Sequence, residues 1–409
     1  MAAKLACSAR YISGFEDARV LQDLTSYSPA FSLITLKHEK NRVIACFGTI
    51  CQSSANFHPG LGGKLESHAA FEATPLNIPE LRPITGTWPT GESAPDRDPV
   101  LQALTAQILE DDCRRGLDTR ALIVVQGGQL LAESYTPPIQ PETPLLGWSM
   151  AKSLTAILIG RMEALGLANM EASDLFPEWH NDGRSAITLC NLLQMGSGLA
   201  FDESYLPGSD VTRMLYTSPS ASEYALQSVL RQQPGRHFHY SSGTTNLLAL
   251  WMHRTLGGTQ GCMDFLYREL LQPLRMAHTL LESDAHGVFV GSSYAYASGR
   301  DWARLGQLML DQGSQDGKPL LSPAWVHAAT TPNPSENDSR YGYQFWLNSG
   351  PGMPQRYPAL PDDTYFMLGN REQKLMVCPS LSAVIVRLGW SGEDYPLERQ
   401  FNRILDKLE

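Results

Sequence analysis

A serine and a lysine three residues apart can make a nucleophile. Ser149 and Lys152 stand in GWSMAKSLTAILIG, residues 147–160. They fall at an expected helix start, where positions i and i+3 share a face with Cβ atoms roughly 5–6 Å apart. A serine hydroxyl attacks a carbonyl only when a neighbouring base takes its proton, and an S-x-x-K pair on a buried helix is one arrangement that achieves this. The apolar run Leu154 to Ile159 would bury that helix. Alone, four residues fit a capping serine and a solvated lysine more readily, so a partner motif is required.

Residues 234–246, PGRHFHYSSGTTN, supply one. A Pro-Gly turn leads to Tyr240, then two serines, a glycine and a helix. A tyrosine there can act as a base only if a cation lowers its pKa from about 10, and Lys152 is the candidate cation. His237 and His239 flank it in an H-x-H spacing, but no third ligand is apparent, so structural roles are expected and no metal. Ser197 and Ser292 read as turn serines. Neither sits in a G-x-S-x-G elbow. Asp202 and Glu203 read as solvated loop charges, with contact to a cationic substrate group as the alternative.

The elements that must position these residues follow from periodicity. Phe31 to Leu36 and Val43 to Ile50 read as strands around the charged turn 38–41, a β-hairpin in an N-terminal extension over residues 1–95. Gly60 to Gly63 and the Pro/Gly/Thr-rich stretch from Thr74 to Asp98 read as irregular connector. Val100, Leu101, Leu104 and Ile108 recur at helical spacing behind Asp98, a capping residue. Runs 121–126 and 129–135 joined by Gly127-Gly128 form a hairpin signal. Helical patterns dominate from Arg161 to about Ala285, and Gly299 to Asp311 is amphipathic. Strand-like runs return at 343–347, 365–368, 374–378 and 383–388, and Leu397 to Leu408 closes as a helix. Strand groups on either side of one helical block predict an α+β fold, an antiparallel sheet whose halves join in space, flanked by helices. The α/β part is expected over 96–155 and 286–409, with an inserted all-α part over 156–285.

Four segments, SMAK (149–152), ITLCNLLQMGSGL (187–199), PGRHFHYSSGTTNLL (234–248) and GVFVGSSYAYASGRDWARLGQLML (287–310), resemble the penicillin-recognising serine hydrolases. That group holds class C β-lactamases, D-alanyl-D-alanine peptidases, family VIII carboxylesterases and 6-aminohexanoate-dimer hydrolase-like proteins, the last the most similar. The resemblance spans residues 98–409. It implies a cleft between a sheet domain and an all-α domain, with Ser149 acylated and Lys152 and Tyr240 handling protons. It implies an oxyanion hole from the N–H of Ser149 and one on the strand edge at GNREQ (369–373), for which Gln373 is the candidate.

Two positions depart from the pattern. Ser242 stands where β-lactamases carry asparagine, which argues against efficient β-lactam hydrolysis. Asn370 and Glu372 replace the usual cation or imidazole and the small glycine, so Glu372 is expected to crowd the hole or repel acidic substrates. Ser242, Asn370, Tyr294 and Trp346 are the expected substrate contacts. The resulting expectation is a serine hydrolase of small esters or amides without a cofactor. The alternatives are a silent binder of peptide or cell-wall fragments, and a β-lactamase or D-amino-acid peptidase.

Composition bounds the partners. With 43% hydrophobic and 18% charged residues and a net charge of -10, the chain has the make-up of a globular protein, and no basic cluster offers a nucleic-acid footprint. No run of about 18 apolar residues suggests a membrane span. Seven dispersed cysteines argue for free thiols, with Cys46–Cys51 the one pair considered for a bridge. The start, MAAKLACSAR, lacks an export-type apolar run. The expectation leans to the cell envelope or periplasm, with a leader trimmed from this start, and is otherwise cytoplasmic.

Overall fold

The computed structural model describes residues 1–49, 51–66, 76–82, 85–89, 91, 93 and 97–408. The chain begins with helices α1 (Ala2–Tyr11) and α2 (Asp17–Thr25), followed by strands β1 (Ile34–Glu39), β2 (Arg42–Phe47), β3 (Cys51–His58) and β4 (Gly62–Leu65). The four strands pair in order as an antiparallel meander. The expected hairpin is its first half. Two parts of the expectation are corrected: Gly62–Leu65 is a strand rather than connector, and Phe31 belongs to a 3-10 turn, Pro29–Leu33. Ile50 and residues 74–75, 83–84, 90, 92 and 94–96 lie outside the described residues. In this register Cys46 faces Gln52 and Phe47 faces Cys51. The two cysteines therefore point to opposite sheet faces, one buried and one exposed, and all seven thiols are free.

Helix α3 (Pro99–Arg114) opens the main domain, with Asp98 Oδ1 accepting from the N–H groups of Val100 and Leu101, both at 2.8 Å. Strands β5 (Thr119–Gln126) and β6 (Gln129–Tyr135) flank the Gly127-Gly128 turn, whose residues both have positive φ, as a two-residue hairpin demands. A short strand β7 (Leu145–Leu146) leads into α4 (Met150–Ala164). Helices α5 (Leu189–Leu193), α6 (Asp210–Tyr216), α7 (Ala221–Leu226), α8 (Ser242–Thr255), α9 (Thr259–Leu266) and α10 (Gln272–Leu274) make up the helical block. It ends earlier than its sequence suggests, because Thr279–Leu281 is a strand, β8, pairing with β9 (Ala295–Ala297), which also pairs with β7.

After α11 (Gly299–Leu310), the small hairpin β10 (Ser314–Gln315) and β11 (Lys318–Pro319), and α12 (Pro323–Ala329), the chain returns to the sheet. It does so with β12 (Trp346–Leu347), β13 (Tyr365–Gly369), β14 (Gln373–Cys378) and β15 (Ala383–Gly389), and ends in α13 (Leu397–Leu405). Only two residues of the expected strand 343–347 are extended, since Gln344 has positive φ and breaks it. The antiparallel order β12-β13-β14-β15-β5-β6 shows how the two halves join: β15 pairs with β5 along its length.

Alternation along these strands sorts the core. Ile123, Val125, Val384 and Val386 pack with Trp302, Leu305 and Leu308 of α11 and with α4, while Leu122, Val124 and Ile385 pack with Leu101, Ile108, Phe401 and Ile404 of α3 and α13. Each such fully buried aliphatic side chain contributes about 1.5–3 kcal/mol. The N-terminal layer is fastened by ion pairs: Lys4 Nζ to Glu282 at 2.5 Å, Arg120 to Asp23 at 2.5 Å, and Arg19 to Asp118 at 2.6 Å. Among the described residues no helix is long and apolar enough to cross a membrane.

Candidate active site

The start of α4 is set by packing rather than by a side-chain cap. Ser149 occupies the N-cap position, yet its side chain makes no cap hydrogen bond. The residue before it, Trp148, is held at φ 48°, a conformation costly for an aromatic residue that persists only where the surroundings impose it. The Trp148 ring supplies that constraint by packing against Tyr27, Tyr294 and Trp390 at centroid distances of 6.3, 6.3 and 6.0 Å. Two glycines allow the close approach. A Cβ on Gly147 would lie 2.3 Å from the Trp302 ring, and one on Gly369 would lie 2.2 Å from the Gly147 carbonyl oxygen. The end of β13 is thereby pressed against the segment that carries Ser149.

Freed from capping, the Ser149 hydroxyl meets Lys152. Nζ lies 3.0 Å from Ser149 Oγ, 3.0 Å from Ser242 Oγ and 3.0 Å from the Ser292 carbonyl oxygen. The lysine is 1% exposed. Burial pushes its pKa down to about 8, and the carboxylate of Glu203 opposes that fall. Glu203 grips the start of α8: one oxygen accepts from the Ser242 N–H at 2.8 Å and the other from the Ser242 hydroxyl at 2.5 Å. A chain of contacts thus runs from Glu203 through Ser242 to Lys152 and Ser149.

Tyr240 lies beside this chain, its ring 4.8 Å from Lys152 Nζ and stacked on Trp346 at 5.0 Å. The expectation that Lys152 lowers the phenol's pKa is corrected. The ammonium addresses the ring, and burial, then Tyr341 and Glu203, hold the hydroxyl well above its ordinary value, with hydrogen bonding from Ser149 opposing. Tyr240 keeps its proton at neutral pH.

Other expected residues divide. Trp346 is at the site, as the partner of the Tyr240 ring. Asn370 lines the cleft and its Nδ2 is 3.4 Å from the Tyr27 hydroxyl. Ser242 is fully buried and committed to Lys152 and Glu203, so it is not a substrate contact. Tyr294 is 3% exposed, donates to the Leu215 carbonyl at 3.3 Å and carries Lys4 over its ring at 4.3 Å; it is a packing residue and not a substrate contact. Gln373 is buried, and its amide ties the turn 370–372 by bonds to the carbonyls of Asn370, Arg371 and Gly389. That turn carries two left-handed residues, Arg371 and Glu372 (φ 58° and 66°). Arg387 holds it from beneath at 2.7 Å from the Glu372 carbonyl.

The Glu372 carboxylate is not left to repel substrate, being 3.0 Å from Lys374 Nζ and 3.1 Å from the Tyr395 N–H. His239 meets the Phe201 carbonyl and His237 faces Glu336, so the two rings serve different loops. Missed from sequence were the roles of Glu203 and of the Ser292 carbonyl. The sequence reads Glu203 as a solvated loop charge, with a substrate cation as the alternative, whereas the cation it serves, through Ser242, is the protein's own Lys152.

Between the helical block and the sheet opens a cleft of about 620 Å3, lined by Tyr205 and Tyr216, by the turn 370–372, by residues 391–394, and by Tyr27 and Phe31 of the N-terminal layer. Tyr205 links this cleft to Ser242, and so to Lys152 and Ser149, which do not themselves line it: burial and the Glu203 charge keep its phenol protonated, with Ser242 hydrogen bonding opposing.

The family model described as Beta-lactamase matches residues 101–394. The chain belongs to the beta-lactamase family. It is 25% identical over 308 residues to the 6-aminohexanoate-dimer hydrolase of Paenarthrobacter ureafaciens, covering 70% of this chain and 76% of that one. Among solved structures it resembles a class C beta-lactamase, with a TM-score of 0.56 and 16% identity over 76% of this chain and 97% of that one. It also resembles a penicillin-binding protein homologue from Caulobacter crescentus, with a TM-score of 0.56 and 17% identity over 77% and 98%. At such identities the structural matches establish the fold alone. Family and relatives together make this beta-lactamase family member a serine hydrolase of the beta-lactamase and penicillin-binding type.

Proposed function

We propose that the protein hydrolyses esters or amides of small acyl groups through a covalent acyl-enzyme on Ser149. The observation that carries this is the arrangement of three oxygens around Lys152 Nζ, all at 3.0 Å. A neutral amine has two N–H bonds and one lone pair. The Ser242 oxygen and the Ser292 carbonyl take the two hydrogens, which leaves the lone pair for the proton of Ser149. A pKa near 8 makes the neutral form accessible at physiological pH.

In the first step Ser149 Oγ bonds to the substrate carbonyl carbon while its proton passes to Lys152. Tyr240, which holds its proton, donates it as the bond to the leaving alcohol or amine breaks, and Lys152 restores it. Water then attacks the acyl carbon, giving one proton to the base, and the carboxylic acid leaves as Ser149 regains its own. The oxyanion is assigned to the N–H of Ser149 and to an N–H on the 369–373 edge, Gln373 being the candidate. Pairing of Glu372 with Lys374 speaks against the part of the silent-binder reading that rests on Glu372 repelling substrate. Ser242 offers only a hydroxyl, already given to Glu203, where the expected β-lactamase pattern has an asparagine amide, which favours plain esters and amides over β-lactams.

The test is turnover of p-nitrophenyl butyrate and labelling by a fluorophosphonate, repeated with Ser149→Ala. The expected result is turnover and labelling that vanish together in the variant. An inert wild type, or an alanine variant that behaves like it, sinks the proposal.

A further inference from the structure

We propose that the N-terminal layer is the specificity wall of the cleft, selecting substrates whose scissile ester or amide carries a neutral aryl or long alkyl group. The inference rests on the reading of Ser149 as nucleophile. Tyr27 and Phe31 precede residue 101, where the family match begins, yet both line the same cavity as Asn370, Tyr205 and Tyr216.

Tyr27 is fixed on three sides. Its ring meets Trp148, the residue before Ser149, at 6.3 Å; its hydroxyl is 3.4 Å from Asn370 Nδ2; and the Arg371 guanidinium covers its face at 3.6 Å. The ion pairs of Lys4, Arg19 and Arg120 keep the whole layer in register with the catalytic domain. A wall held this way presents a fixed shape, which is what size selection requires.

The chemistry of the wall names the group. Four aromatic rings, Tyr27, Phe31, Tyr205 and Tyr216, face a space of about 620 Å3, within the range that holds small organic molecules. Two of the charged side chains lining it are already engaged: Arg371 on the Tyr27 ring and on the carbonyls of Ser26 and Ser391, Glu372 on Lys374. The other two are the exposed Glu393 and Asp394, which disfavour a group ending in a carboxylate.

The experiment compares two substrate pairs, p-nitrophenyl acetate against p-nitrophenyl phenylacetate and ethyl acetate against benzyl acetate, in wild type, Tyr27→Ala and Phe31→Ala. The readout is the ratio of kcat/KM within each pair. Loss of an apolar contact surface in a pocket changes such ratios by tenfold or more. Tyr27→Ala is expected to lower the preference for the larger group about tenfold in one pair, through KM, and Phe31→Ala to lower it about threefold. The affected pair tells which side of the scissile bond occupies the wall. Phe31→Ala also keeps the test open if Tyr27→Ala, which supports Trp148, fails to fold. Ratios unchanged in both pairs, with Ser149 still labelled by the fluorophosphonate, overturn the wall while leaving the nucleophile standing. A wild type that does not label overturns both.

Discussion

Glu203→Gln separates a carboxylate that sets the chemistry from one that merely caps a helix. Lys152 Nζ and a Glu203 oxygen both contact the Ser242 hydroxyl, at 3.0 and 2.5 Å, so the two charges stand no more than about 5.5 Å apart. Unit charges at that separation attract by about 3 kcal/mol at an effective dielectric of 20 and by just under about 1 kcal/mol at that of water. Removing the carboxylate should therefore lower the Lys152 pKa from about 8 by about 0.5 to 2. The sign is fixed by the role: if the neutral amine is the base, activity rises as pH climbs through that pKa. The wild type has about one-tenth of its lysine neutral at pH 7, and the variant a larger share.

The assay is kcat/KM for a p-nitrophenyl ester between pH 5.5 and 9, which reports ionisations of the free enzyme. The expected profile has its rising limb displaced to lower pH in the variant. Its plateau is lower as well, because a less basic amine is a weaker acceptor and Ser242 has lost its anchor. A limb that stays in place or moves upward would show that Glu203 does not act on the base.

Lys152→Met should cost at least 10² in turnover while raising stability at pH 7 by about 1–3 kcal/mol, since a desolvated amine gives way to a thioether. The unfolded chain holds that proton to about 10.5 and the folded one only to about 8. Wild-type stability therefore recovers between those values and the variant's advantage in urea denaturation shrinks over the same window. Tyr240→Phe should slow an anilide by on the order of 10² and a p-nitrophenyl ester by less than about tenfold, because p-nitrophenolate leaves without a proton. Gly369→Ala should lower kcat/KM about 100-fold, as the added methyl drives the turn away from Gly147; wild-type rates in a folded variant would refute that contact.

How much was legible depended on the range of the interaction. Ser149 and Lys152 were readable because helical geometry alone brings i and i+3 together, and the β5–β6 turn because Gly-Gly at positive φ has few alternatives. The joining of β5 to β15 followed from strand groups on both sides of a helical block. Glu203 was misread because a carboxylate two residues past a buried Phe201 looks like a solvated loop charge until the loop folds onto α8. Tyr294 was misread for the opposite reason: a tyrosine in a Gly-Ser loop suggests a cleft, and only the N-terminal helix with Lys4 encloses it. The N-terminal layer was underread because α1 and α2 are short and its third and fourth strands carry little alternation.

The sheet that supports Ser149 also fixes a schedule. Ala383 pairs with Gln126, so at synthesis rates of about 5–20 residues per second the last strand reaches its partner roughly 13–50 s after β5 has been made. Through that interval the ribosome displays one edge of β5 unpaired, together with an apolar α4 that has no sheet to rest on. Newly made chains should therefore depend on holding factors until the final thirty or so residues emerge, and a release just before β15 should yield a protein with its Ser149 helix translated but no floor beneath it.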